Sequence, residues 1–476
     1  MDLTKSIVFT IATLLFSIGC QSAEKSTKPH IVFILADDLG YGDVSSTNPN
    51  SKNASPAIDR IADEGMVFTD MHSGASWCTP SRYALLTGTY PHRTSLKWRS
   101  EPVIKKNELT VPGMLRRNGY STCMIGKWHL GFDTGMDFMK DRFPGGPVDR
   151  GFDEFYGIPQ SLDIPPYLYI VNDRPEKKPT ATIGDRGPSD PKKWTNIQGE
   201  FWRKGQMPPG FKHEHVLDVI ADKSVAKIKS HSSSSDKPLF LYVPLTAPHT
   251  PWLPAKRFLD QFPGEMYAAF VAHVDDCVKR IDDALKETGM SDNTIFIVTS
   301  DNGPVWYQKD IDRTGHSSTG IMKGMKGDAW EGGHRVPFVV KWPKGIKSGS
   351  RTSEMSGFVD MLPTFAEIVG DKEVAAKFKD GHSLKNVFKG GKTTRQHIVH
   401  MATKDYIAVR KGKWKYIPFI GSGGFSKPKF VKVKKGETPG QLYDLEKDPS
   451  ETTNLHDKYP EVVAELKKLM QQELKK

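Results

Sequence analysis

Five short runs of nearly uninterrupted apolar residues constrain this chain more than any other feature. They are residues 31–36 (IVFILA), 121–125 (STCMI), 239–245 (LFLYVPL), 294–299 (TIFIVT) and 337–342 (PFVVKW). Runs of this length without polar alternation read as strands covered on both faces, in a parallel or mixed sheet. Helical signals fall between them. Ser55-Pro56 is expected to cap a helix carrying Ile58, Ile61 and Ala62 that stops at Gly65. Residues 266–288 put Phe270, Val274, Cys277, Ile281 and Leu285 on one helical face, with Gly289 ending it. Alternating strands and helices predict an α/β domain over residues 29–370. The Pro- and Gly-rich stretch 140–215 reads as loops on the substrate side. After residue 370 the pattern changes to short strands (397–401, 406–410, 414–418) and a final helix from Pro460, a smaller C-terminal α+β subdomain over 371–476.

With 476 residues, the chain exceeds what one core usually holds. Its 37% hydrophobic content excludes a disordered or multi-span membrane protein. Lys5 followed by the apolar stretch 7–18 reads as an export signal over residues 1–19, too short to span a bilayer. Gly19-Cys20 resembles a lipoprotein cleavage site, with Cys20 lipidated and residues 20–28 as a tether; secretion without lipid is the other expectation. The expected locations are therefore the periplasm, the outer membrane as a lipoprotein, or the exterior. Four cysteines do not make a disulfide framework. The net charge, 67 − 56 = +11, suits an anionic partner. No recognition motif supports nucleic acid.

The residues at the end of each apolar run carry the chemistry. The first run enters Asp37-Asp38, the second Lys127 and His129, the third His249, and the fourth Asp301-Asn302. In open α/β sheets, ligands bind outside the carboxyl ends of the strands. An Asp after a strand is most often a turn or a cap. Three carboxylates brought to one rim, however, repel one another unless a cation or several donors neutralise them. An Asp/Asn oxygen set suits a hard divalent ion, Ca²⁺ or Mg²⁺, and no Cys/His set for zinc accompanies it.

The second feature is Trp77-Cys78-Thr79-Pro80-Ser81-Arg82. Pro80 is placed to begin a helix, which puts Cys78 just ahead of a helix N-terminus where unpaired N–H groups favour an anion. Arg82 adds a bidentate donor for a tetrahedral oxyanion. Cys123, mid-strand, and Cys277, on an apolar helix face, read instead as small buried hydrophobes.

Cys78-Thr79-Pro80-Ser81-Arg82 with Leu86-Thr87-Gly88 resembles the signature of the type I sulfatases. Further matches, in the family's order, are Asp37-Asp38, Gly126-Lys127-Trp128-His129-Leu130-Gly131, Pro248-His249-Thr250-Pro251, Ser300-Asp301-Asn302-Gly303, and Lys326-Gly327 ahead of Trp330-Glu331-Gly332-Gly333. Leu442-Tyr443-Asp444-Leu445, Asp448-Pro449 and Glu451 resemble the family's second domain. The resemblance covers residues 29–460. It implies an alkaline-phosphatase-like α/β fold with a smaller C-terminal sheet. It also implies that a maturation enzyme converts Cys78 to Cα-formylglycine, whose hydrate is the nucleophile. By the same resemblance Asp37, Asp38, Asp301, Asn302 and the modified Cys78 hold Ca²⁺. Arg82 and Lys127 stabilise the hydrate and the sulfate, His129 takes a proton as sulfate is expelled, and His249 and Lys326 face the ester oxygen. Ser161 falls near a position that contacts sulfate in some members, where others carry a different residue.

The expected activity is hydrolysis of sulfate esters, of aryl sulfates or of a sulfated carbohydrate. Two rivals stand beside it: a phosphonate or phosphate ester hydrolase using the same nucleophile, and an inactive glycan-binding lipoprotein on the same scaffold. Between Lys411 and Lys435 there are eight lysines and no acidic residue, interleaved with aromatics. That segment reads either as an extension of a cleft for a sulfated polymer or as a solvated hairpin whose lysines protect an edge strand. Trp98, Arg99 and Trp252 read either as sugar-stacking residues or as core.

Overall fold

The structure, a computed structural model, describes residues 28–403 and 406–475. The proposed export signal and Cys20 lie outside these residues. All five apolar runs are strands, and four of them are longer than the pattern indicated. His30–Asp37 is central, flanked in parallel by Leu239–Pro248 and Thr294–Ser300. Beyond Leu239–Pro248 lie Ser121–Lys127 and Glu154–Ile158, also parallel. Beyond Thr294–Ser300, Phe338–Lys341 runs antiparallel and Met66–Phe68 pairs with it, so the ten-stranded sheet is mixed.

Alternation along the central strand divides the core in two. Ile31, Phe33 and Leu35 pack on one face with residues of the helices Cys78–Thr87, Val111–Arg117 and Met361–Val369. Val32, Ile34 and Ala36 pack on the other with the helices Pro56–Asp63, Val216–Ser234 and Met266–Glu287. A strand buried on both faces has no use for polar side chains until it leaves the sheet. All its polarity is therefore delivered at its end.

Three expectations are corrected. Residues 140–215 are not only loops: Glu154–Ile158, Ile170–Val171 and Arg174–Pro175 complete one edge of the main sheet. Ser55 does not cap its helix through its side chain. The buried Asp275 carboxylate does so instead, accepting from the Ala57 and Ile58 N–H groups. Cys78 is not ahead of a helix but is the first residue of one, Cys78–Thr87.

The C-terminal residues form a four-stranded antiparallel sheet (His397–Met401, Ile407–Lys411, Trp414–Ile417, Gln441–Asp444) and the helix Pro460–Lys475. Its apolar face shares a core with Ala75, Ala84 and Tyr90 of the nucleophile region. A buried polar cluster joins the two sheets. Lys415 Nζ lies 2.9 Å from both Glu331 and Glu451 and 3.1 Å from His334 Nε2. An ammonium only donates, so His334 must donate from Nδ1 to His72 Nδ1 at 3.1 Å. His72 then donates from Nε2 to Asp70 at 2.7 Å. Asp70 in turn accepts from Arg335 and Arg410. His72, Glu331, His334 and His400 thus have metal-ligand spacing, but Lys415 already supplies their cation.

Candidate active site

Each site residue leaves the sheet or opens a helix. Asp37 ends the central strand and Asp38 turns off it with φ +66°. His129, two residues past Ser121–Lys127, also has positive φ, +60°. Left-handed backbone at two non-glycine residues costs on the order of 1 kcal/mol or more each and concentrates at functional sites. Gly126, just before Lys127, lies where a Cβ would come within 2.0 Å of Pro244 O, so only glycine lets that strand end close on its neighbour.

All ten residues of the Cys78–Thr87 helix are buried. Tyr83, Leu85 and Leu86 enter the main core and Ala84 enters the core shared with the C-terminal sheet. Just upstream, the Ser76 N–H donates to Met401 O (2.8 Å) and Ser76 O accepts from the Gly327 N–H (2.7 Å). The nucleophile loop is therefore held between the C-terminal sheet and the segment that carries Lys326.

The structure brings ten of the eleven predicted residues into one buried cluster. The Cys78 thiol faces Asp37 Oδ1 at 3.7 Å. Lys127 Nζ lies 2.5 Å from Asp37 Oδ2. Arg82 donates through Nε and Nη2 to Asp301 Oδ2 (3.0 and 2.7 Å) and through Nη1 to Lys127 O. Lys326 Nζ reaches Asp38 at 2.6 Å. Asn302 Nδ2 donates to Asp38 Oδ1 at 2.6 Å. His249 places Nε2 3.7 Å from Asp38, while its Nδ1 donates to Thr250 O. His129 O accepts from Thr79 beside Cys78, and neither imidazole nitrogen of His129 has a partner among the described residues. Ser161 is the eleventh: it is buried, but no hydrogen bond joins its hydroxyl to the others.

Burial pushes the Cys78 thiol up to about 12, so as a thiol it stays protonated and is a weak nucleophile. Burial alone would raise the Asp37 carboxyl, but Lys127, His249 and Arg82 outweigh it and hold it well below the carboxylate range. Asp301 is pushed up to about 6 by burial and by the charge of Asp37. Burial, with Lys127 and Arg82 nearby, holds His129 well below the usual imidazole value and therefore neutral.

Asp37, Asp38, Asp301 and Asn302 fit a hard divalent cation. The Asp37 and Asp38 carboxylates meet beside Cys78 and His249, Asp301 Oδ1 accepts from the Asp38 N–H at 3.2 Å, the Asn302 Oδ1 is buried without a partner, and apart from Cys78 and His249 the donors are oxygen.

Sequence reasoning missed Asp163 and Arg203. Asp163 Oδ1 is buried and unpartnered 4.0 Å from His249 Nδ1, and Arg203 donates to Asp163. Both lie in segments without periodicity, so no sequence signal marked them. Trp98 packs edge-on against His129 and Arg99 lies over Trp98. Trp252 is buried among Trp194, Tyr267 and Trp306, which makes it core.

A family profile described as Sulfatase matches residues 29–370, and one described as N-sulphoglucosamine sulphohydrolase, C-terminal, matches 326–476. The chain is 32% identical to an N-acetylgalactosamine-6-O-sulfatase of Bacteroides thetaiotaomicron, covering 94% of each chain. It is also 32% identical to human arylsulfatase A, over 93% of this chain and 87% of that one. Among solved structures, a sulfatase from the Bacteroides thetaiotaomicron locus for metabolism of multiple glycosaminoglycans superposes with TM-score 0.82 at 31% identity, covering 95% of this chain and all of the other. Another solved structure, of a protein in complex with a neocarrahexaose, gives 0.72 at 26% identity, over 94% and 93% of the two chains.

Proposed function

Since the chain belongs to the sulfatase family and is a sulfatase, we propose that it removes sulfate from a sulfated carbohydrate with a Ca²⁺ ion and a formylglycine made from Cys78. The observation that carries this reading is the position of Cys78, at a buried helix start, facing Asp37 and ringed by Arg82, Lys127 and Lys326. When present, Ca²⁺ on Asp37, Asp38, Asp301 and Asn302 neutralises charge on the sulfate, and the formylglycine hydrate supplies the attacking hydroxyl.

The chain's own residues do the rest. Arg82 and Lys127 are fixed by Asp301 and Asp37, so their charges are already aimed when negative charge grows on the sulfate oxygens. His129, held neutral, is free to accept a proton as sulfate is expelled. His249 has its Nδ1 tied to Thr250 O, which turns Nε2 toward Asp38 and Lys326 on the leaving-group side. A carbohydrate substrate is supported by the Bacteroides relative, named for N-acetylgalactosamine 6-O-sulfate, and by the neocarrahexaose-bound structure. Export through the N-terminal segment, with Cys20 lipidated or the chain secreted, belongs to the same reading; metabolic labelling with palmitate distinguishes the two.

The test is turnover of nitrophenyl sulfate against nitrophenyl phosphate by protein matured in its host, with mass analysis of the Cys78 peptide. Sulfate preference, a mass matching formylglycine, and loss of turnover on calcium chelation are expected. A clear phosphate preference, or full activity in Cys78→Ala, would overturn the reading.

A further inference from the structure

The eight lysines between Lys411 and Lys435 separate into two groups in the fold. Lys411 pairs with Glu465, Lys413 with Asp444, and Lys415 with Glu331 and Glu451. Those three are committed to the C-terminal sheet. The other five, Lys427, Lys429, Lys432, Lys434 and Lys435, are exposed on an irregular loop, and none of their ammonium groups pairs with a carboxylate among the described residues; Glu437 reaches only the backbone N–H of Lys434, at 2.9 Å. A hairpin using its lysines to guard an edge strand describes the first group and leaves the second without a role.

The root of that loop is fastened to the catalytic segment. Gly424 lies so close to Gly327 that a Cβ would come within 2.1 Å of the Gly327 backbone. The Ser426 N–H donates to Asp328 (3.1 Å), and the Ala329 N–H donates to Ser422 O (2.7 Å). The loop is thereby fixed against Lys326-Gly327. Phe425 stands between two hollows. One, of about 140 Å³, is lined by Asp38, His249 and Lys326. The other is a cleft of about 850 Å³ lined by Trp306, Tyr307, Lys309, Lys323, Lys427 and Lys429, among others, with no acidic residue in its wall. Lys309 and Lys323 donate to neutral backbone carbonyls, of Lys193 and Glu451, and the carboxylates that act on Lys323, those of Glu451 and Asp448, lie outside the cleft wall.

Four ammonium groups around one cleft repel one another and yield a positive potential. Such an arrangement gains most from a ligand carrying several separated negative charges, and the aromatic rings in the wall suit sugar faces. We propose that this cleft binds the flanking sulfated residues of an anionic polysaccharide whose target sulfate enters the Cys78 pocket. The enzyme then prefers an oligomer sulfated on neighbouring sugars to a single sulfated sugar. This rests on the sulfatase reading, and the test keeps the two apart.

The probe is size-fractionated dextran sulfate, measured for direct binding and as an inhibitor of nitrophenyl sulfate hydrolysis. It is compared between the wild type, K427E/K429E, and K389E/K392E, which makes the same charge change on exposed lysines outside the cleft. Competitive inhibition of the wild type is expected. K427E/K429E is expected to weaken dextran sulfate binding at least tenfold, beyond any change in its nitrophenyl sulfate kcat/KM. K389E/K392E is expected to change it less than twofold. Thermal midpoints check that both variants fold. Equal losses in the two variants, no loss in K427E/K429E, or noncompetitive inhibition would each overturn the proposal. If the matured wild type fails to hydrolyse nitrophenyl sulfate, the sulfatase reading fails instead.

Discussion

At the residue scale, the site is a set of charges that neutralise each other in pairs. Asp37 with Lys127, Asp38 with Lys326, and Asp301 with Arg82 bury three negative and three positive charges. A buried charge left alone costs several kcal/mol, so removing one member of a pair disturbs more than its own contact. In the proposed reaction His249 and Lys326 differ from the others in facing the side where the alcohol leaves. Their contribution should therefore depend on how poor the leaving group is. His249→Gln and Lys326→Met are expected to slow hydrolysis of a sugar sulfate roughly 10²- to 10⁴-fold. Nitrophenyl sulfate, whose phenolate leaves readily, should lose much less. Steady-state rates on both substrates check this, and equal losses would place the two residues elsewhere in the reaction. The pattern of Asp, Lys and His at strand exits was legible because each comes at the end of an apolar run. Asp163 and Arg203 have no such run before them and became visible only through their position beside His249.

At the element scale, the two sheets are joined by a buried network with a fixed direction of hydrogen bonding from Lys415 through His334 and His72 to Asp70. Burial alone would push Asp70 up, but Arg335 and Arg410 outweigh it and hold Asp70 well below the carboxylate range. Because its folded value lies below its unfolded one, its stabilisation is complete above the ordinary carboxylate value and fades as pH falls below about 4. Burial, and the charge of Glu331, push Glu451 up to about 7 against the pull of Lys415. Its sign is opposite: the contribution is complete below the ordinary value and is lost as pH rises through about 7. Thermal midpoints across pH 3–8 check both. The deficit of Asp70→Asn should shrink from pH 5 to pH 3, and Glu451→Gln should gain on the wild type from pH 5 to pH 8. Parallel curves would show that neither group titrates in folding. None of this was legible in advance, since the partners lie up to 340 residues apart along the chain.

At the scale of the whole molecule, the C-terminal sheet is part of the catalytic apparatus. It covers Ala75, Ala84 and Tyr90, supplies Met401 O to the loop before Cys78, and supplies Lys415 to Glu331. Deleting residues 397–476 is expected to uncover that apolar face and leave Glu331 without its ammonium. The product should bind a hydrophobic dye, melt without cooperativity and show no turnover. A soluble, cooperatively melting product that turns over nitrophenyl sulfate would show the C-terminal sheet to be dispensable. The same dependence explains why the Lys411–Lys435 segment was ambiguous as sequence: three lysines are used in packing and five are not, and only the fold separates them.

The sequence alone determined the α/β core, because a strand covered on both faces must be apolar along its length and can turn polar only where it leaves the sheet. That rule located Asp37, Asp38, Lys127, His129, His249, Asp301 and Asn302 and put them on one rim. Which carboxylate holds which cation, which histidine stays neutral, and which lysines remain unpaired were decided only by tertiary structure. Those outcomes depend on distances of a few ångströms between residues far apart in the chain, and on how deeply each group is buried.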